Sequence, residues 1–242
     1  MEFNFPTTPQ EAGSGRLVTF LPLRIGAGAS TLACMTAYTA APIIPTSLID
    51  FTAESKIRSY LGYHGDISPA SILDINSITN YGAVFTASEE HHKDIKVFPG
   101  IPAGQILAGG QIDTHLVLKA VKALKNTSPL TVAVSGPLFR SGWLLAMLSD
   151  VICVVGKPSR TDMDAYQPVM DFLSRFDCSD RIKVILNQNK YPGSMSAKAA
   201  ESFYRPDIII DYNEKIALSA NKREVYVDSK ISRVLMPLIK GE

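Results

Sequence analysis

An excess of charge of either sign is what this sequence most plainly lacks. Its 242 residues carry 24 Lys and Arg against 23 Asp and Glu, a formal net charge of +1. That balance gives no general pull toward nucleic acid or an acidic membrane, so such binding would need a local patch. Lys119, Lys122 and Lys125, with Arg181 and Lys183 elsewhere, make only a thin one. Cysteine is also scarce: Cys34, Cys153 and Cys178 lie far apart and form no C-x-x-C pair. A disulfide framework or zinc knuckle is thereby disfavoured, and reduced thiols in a cytoplasmic protein are the expectation. No apolar run approaches the roughly 20 residues that span a bilayer. The opening MEFNFPTTPQEAGSG has neither the basic start nor the short apolar core of a signal peptide, and reads as a flexible lead over 1–15. Repeats, low-complexity tracts and linkers are absent, which leaves one domain over 16–242.

What is present is a stretch from Arg16 to Ala33 around which the rest is ordered. Leu17 to Leu21 reads as an apolar strand, Arg24 to Ala29 as a glycine-punctuated loop, and Ser30-Thr31 as the opening of a helix. A strand, a Gly-rich turn and a helix N-terminus together make an anion cradle, because glycines let amides turn inward and the helix dipole favours negative charge. The spacing matches the phosphate loop G-x-x-x-x-G-K-[ST], except that Ala29 stands where the lysine belongs. A tight β–α turn that binds nothing is the alternative reading of the same residues.

Downstream, strands are expected at Thr46–Phe51, Ile95–Phe98, Leu130–Val134, Val151–Val155, Arg181–Asn187 and Asp207–Ile210. Helices are expected at Ser30–Ala41, Glu54–Leu61, Ser71–Ile78, Asp113–Lys125, Gly142–Leu148, Asp162–Phe176, Ser196–Tyr204 and Glu214–Ala220, and a further element at Glu224–Val227 and a last helix from Ser229 close the chain. This alternation argues an α/β fold, a mostly parallel twisted sheet with helices on both faces. Asp50, at a strand's C-terminal end, lies where open α/β sheets bind ligands, or else caps the next helix. Glu89, Glu90, His91, His92 and Asp94 favour a solvated loop over a metal site.

The ordered set RIGAGASTLA, SLIDFT, FPGI, VAVSGP, ILNQ and IIIDYN resembles the ParA/MinD group of deviant Walker ATPases. In that family these stretches read KGGVGKTTLA, LLVDLD, LPxG, IIIDxPP, VxNR and GxIPxD. The likeness runs from about Arg16 to the C-terminus and implies a P-loop three-layer sandwich. It also implies a nucleotide site built from Arg24, Gly26, Ala27, Gly28, Ala29, Ser30, Thr31, Asp50, Asn187 and Asp211. ATP or ADP would be the ligand, with Mg meeting Ser30 if Mg-nucleotide binds. Asn187 falls where the family reads adenine, and Asp211 to Asn213 where a loop closes over the base.

The departures from that pattern concern charge. The signature lysine aligns with Arg24, the P-loop lysine with Ala29, the second acid of the DxD pair with Thr52, and the Walker B aspartate with Ser135. Losing one preorganised donor costs about 10²- to 10³-fold in rate, so losing several implies negligible ATPase activity. No residue is therefore assigned a catalytic role. A slow ATPase in which Arg24 replaces the lysine and Asp50 carries the magnesium shell is the second reading. Within the family the chain is most similar to the TadZ/CpaE-like proteins of pilus and secretion-system assembly. That likeness implies a scaffold or positioning factor whose protein partners are a second copy of itself and an assembly component. Trp143 falls in the family's switch region, as an interface anchor or a core residue. The segment 229–242 has Ile231, Val234, Leu235 and Leu238 at helical spacing. It is short and carries Pro237, so packing on the sheet is favoured over weak membrane binding.

Overall fold

The runs Leu130–Val134 and Val151–Gly156 are apolar at nearly every position, and a strand with that pattern must be covered on both faces. Both are wholly buried, on either side of the first strand. The computed structural model describes residues 14–52, 56–62, 95–98, 100, 114–138 and 142–240. In chain order the elements are β1 (Arg16–Pro22), α1 (Ala29–Ala40), β2 (Thr46–Asp50), α2 (Lys56–Leu61), β3 (Ile95–Phe98), α3 (Thr114–Thr127) and β4 (Leu130–Val134). They continue with α4 (Trp143–Leu148), β5 (Val151–Gly156), α5 (Arg160–Arg175), β6 (Ile182–Asn189), α6 (Ala197–Tyr204), β7 (Ile208–Asp211), α7 (Glu214–Asn221) and α8 (Ser229–Lys240). The seven strands form one parallel sheet in the order β3-β2-β4-β1-β5-β6-β7.

Side chains alternate across β1, and that alternation separates the core into two faces. Val18 and Phe20 join α1, α2 and α8 on one face. Leu17 meets α3 and α4 on the other, and Leu21 meets α5 and α6 there. The fold is thus the expected three-layer α/β sandwich. The expected helix at Ser71–Ile78 and the Glu89–Asp94 loop lie outside the described residues, as does the lead up to residue 13. Gly15, expected in the lead, is tied to the end of α3: its N–H donates to the Lys125 carbonyl at 2.7 Å, and a Cβ there would come within 2.2 Å of the Ser128 carbonyl oxygen.

The last helix spends its apolar stripe inside the molecule. Ile231, Leu235, Leu238 and Ile239 are buried against the core formed with α1, and Arg16 donates to the Ile239 carbonyl at 3.1 Å. The packing expectation for this segment therefore holds for 229–240. No helix among the described residues is long and apolar enough to cross a membrane.

Candidate functional site: a phosphate-loop cavity

The central strand β1 ends at Pro22, and the chain must turn before α1 can pack back on the sheet. Leu23 still donates to the Val155 carbonyl, and a turn then closes from the Ala27 amide to the Arg24 carbonyl at 3.1 Å. Gly26 and Gly28 take φ of +91° and +96°, a region that costs an L side chain about 1–2 kcal/mol. Gly28 is constrained twice, since a Cβ there would stand 2.1 Å from the Asn187 side-chain nitrogen. Asn187 needs that closeness: its amide donates to the Ala27 carbonyl at 2.8 Å and pins the loop to the end of β6. The first-turn amides of a helix lack intrahelical acceptors. Ser159, Ser196 and Asn213 cap the starts of α5, α6 and α7 with their side chains, whereas α1 starts at Gly28 without a side-chain cap.

That uncapped start opens on a cavity of about 270 Å³. Residues 26–31 form one wall, Thr52, Lys56 and Tyr60 a second, and Ser135 to Pro137 a third. Among the described residues lining it there is no carboxylate. Ser135 is fully buried and its hydroxyl donates at 3.4 Å to the Phe20 carbonyl. Thr52, only 4% exposed, has a buried Oγ1 without a hydrogen-bond partner. A buried hydroxyl left so costs on the order of 1–3 kcal/mol, and Thr52 lines the cavity. Burial, reinforced by the Cys34 thiol, pushes the Tyr60 hydroxyl up to about 12, so it stays protonated and able to donate.

Asp50 stands at the end of β2, fully buried, behind this wall rather than in it. Its carboxylate accepts from the Thr52 amide at 2.8 Å and the Ile57 amide at 2.9 Å. It therefore serves the first turn of α2, as the capping alternative supposed, and ties Thr52 and α2 to one anchor.

A second cavity of about 170 Å³ adjoins the first, sharing Gly28, Thr31 and Gln188. Leu32, Met35, Ile216 and Ala220 give it apolar sides, while Asn187, Asp211 and Asn213 give it polar ones. Asp211 is held by Lys190 at 3.0 Å and by the Asn189 amide at 3.3 Å. Gln188 was not marked in the sequence. It sits at φ +55° in a register shift between Asn187 and Asn189 that carries β6 two residues past its expected end. The structure thus gathers residues 26–31, Asn187 and Asp211 along one continuous groove.

Arg24 is left outside it. Its side chain is exposed and Nε donates to the Thr161 carbonyl in the first turn of α5, at 2.7 Å. Trp143 is partly buried between the two cores of its face of the sheet, in keeping with the core alternative. Among the described residues no group of three or more His, Cys, Asp or Glu is placed to hold a metal ion.

No protein-family model matches the sequence, and no curated protein does. Solved structures do match in shape. A ParA family ATPase from Chlorobium tepidum superposes with a TM-score of 0.73 at 16% identity, covering 94% of this chain and 98% of that one. A chain of the MinC:MinD cell division protein complex of Aquifex aeolicus gives 0.75 at 18%, covering 94% and 96%. A putative plasmid partition protein of Borrelia burgdorferi, bound to AMPPNP, gives 0.67 at 13%, covering 93% and 97%. At these identities the likeness establishes architecture, and in architecture this chain is a P-loop α/β sandwich of the kind seen in ParA and MinD proteins.

Proposed function

We propose that the protein binds a nucleoside di- or triphosphate in this groove and hydrolyses it negligibly, acting as a ParA/MinD-like positioning factor. The observation that carries the reading is a phosphate-loop cavity with a buried, unpartnered hydroxyl and no carboxylate among its described lining residues. The polyphosphate would lie along the amides of Gly26 to Ser30 and the start of α1. The apolar slot between Met35 and Ile216 would take the base, with Asn187 and Asp211 at its polar edge. Magnesium would arrive with the nucleotide, held by phosphate oxygens and the Ser30 hydroxyl, where it neutralises phosphate charge. Magnesium sites beside phosphates ordinarily also use one or two carboxylates. Thr52 and Ser135 offer hydroxyls instead, which neither carry charge nor take up a proton from attacking water.

A protein that does not turn over its ligand acts through binding alone, and a ligand shifts a population only by differential affinity. Self-association and recruitment of an assembly component, such as part of a pilus or secretion system, are the outputs we assign to that shift. A solved chain of similar shape comes from a complex of two cell division proteins, which supports a protein partner. Titration calorimetry with Mg-ATP and Mg-ADP, alongside a phosphate-release assay, tests the reading. Saturable heat without phosphate release is expected; phosphate release above background, or no heat, refutes it.

A further inference from the structure

Ala29 removes the cation from the loop, yet the cavity is not without one. Lys56, the first residue of α2, lines it together with residues 26–31. Among the described residues lining the cavity it is the sole charged side chain, and none of the described carboxylates pairs with it. Asp50 holds the Thr52 amide and the amide of Ile57, the residue after Lys56, with one carboxylate, which anchors the start of the helix that carries Lys56. The same anchor presents the unpartnered Thr52 hydroxyl to the same space. Arg24, the other cation near the loop, points to the Thr161 carbonyl and is spent there.

We propose that Lys56 supplies from α2 the ammonium that a phosphate loop ordinarily supplies from within, and that with the Thr52 hydroxyl it grips the terminal phosphates of a nucleoside polyphosphate. This rests on the nucleotide reading above. An ammonium is a point charge on a flexible stem, so it need not come from one backbone position to serve phosphate oxygens. Moved to α2, the charge also couples the ligand to the β2–α2 connection, which the loop's own lysine would not do.

The test is calorimetric titration of Mg-ADP into the whole protein and its variants, with thermal melts recorded beside them. Lys56→Gln is expected to weaken binding at least tenfold while leaving the melt unchanged. Lys56→Arg, which keeps the charge, should recover part of the loss. Adding Ala29→Lys to Lys56→Gln should recover it too, by returning the cation to its ordinary place. Equal affinity in the wild type and Lys56→Gln overturns this inference alone and leaves the nucleotide reading standing. No binding by the wild type overturns both.

Discussion

Replacing Gly28 with alanine should damage the phosphate loop in a way that can be apportioned. The new Cβ would meet the Asn187 side-chain nitrogen at 2.1 Å, well inside any tolerated contact. Two costs follow. Alanine at φ +96° pays about 1–2 kcal/mol for the left-handed backbone. Displacing the Asn187 amide breaks its 2.8 Å bond to the Ala27 carbonyl in a buried setting, about 1–3 kcal/mol. Gly28→Ala is therefore expected to lose about 2–5 kcal/mol in urea unfolding, and Asn187→Ala alone about 1–3 kcal/mol. One hydrogen bond cannot be lost twice, so the double variant should fall short of the sum by about 1–3 kcal/mol. Costs that add to within about 0.5 kcal/mol would show that the two residues do not meet, and the pinned loop would have to be abandoned.

Lys125, almost fully enclosed, pairs with Asp150 at 2.9 Å, and the Asp150 carboxylate also accepts from the Leu17 amide at 2.7 Å. Asp150→Ala should cost about 3–5 kcal/mol in the same assay; a loss under about 0.5 kcal/mol would contradict that placement. Stability should also decline in alkali. The Tyr60 hydroxyl stands at about 12 in the folded protein and near 10 in an unfolded chain, so its contribution is whole below pH 10 and drains away between 10 and 12. Buried Cys34 and Cys153, both pushed up by burial, act in the same direction from about pH 8.5. Urea midpoints measured at pH 9 and 11 should converge partly in Tyr60→Phe, and an unchanged decline would refute Tyr60's share.

The sheet was legible because its signals are local. The apolar runs at Leu130–Val134 and Val151–Val155, and the turn residues around Gly26 and Gly28, declare their roles without reference to distant partners. The groove was legible less evenly. Ala29, Thr52 and Ser135 stand out as missing charges, but what a side chain does at the site depends on what folds against it. Asp50 carries a sign suited to magnesium and is consumed by the Thr52 and Ile57 amides. Arg24 carries the charge its neighbourhood lacks and reaches α5 instead. Asn187 is expected at the base, and its side-chain amide pins the phosphate loop while the residue also lines the second cavity. Lys56 gave no signal, since a lysine at a helix start is ordinarily a solvated surface residue, and only its place in the cavity lining marks it out. Gln188 owes its place to a register shift that no alternation of residue types announces.

Equilibrium dialysis of labelled Mg-ATP against excess protein, with the retained nucleotide identified by chromatography, tests the central claim in one experiment. Nucleotide concentrated on the protein side and recovered as intact triphosphate after hours is the predicted result. Recovery as diphosphate, or no retention at all, would contradict the account.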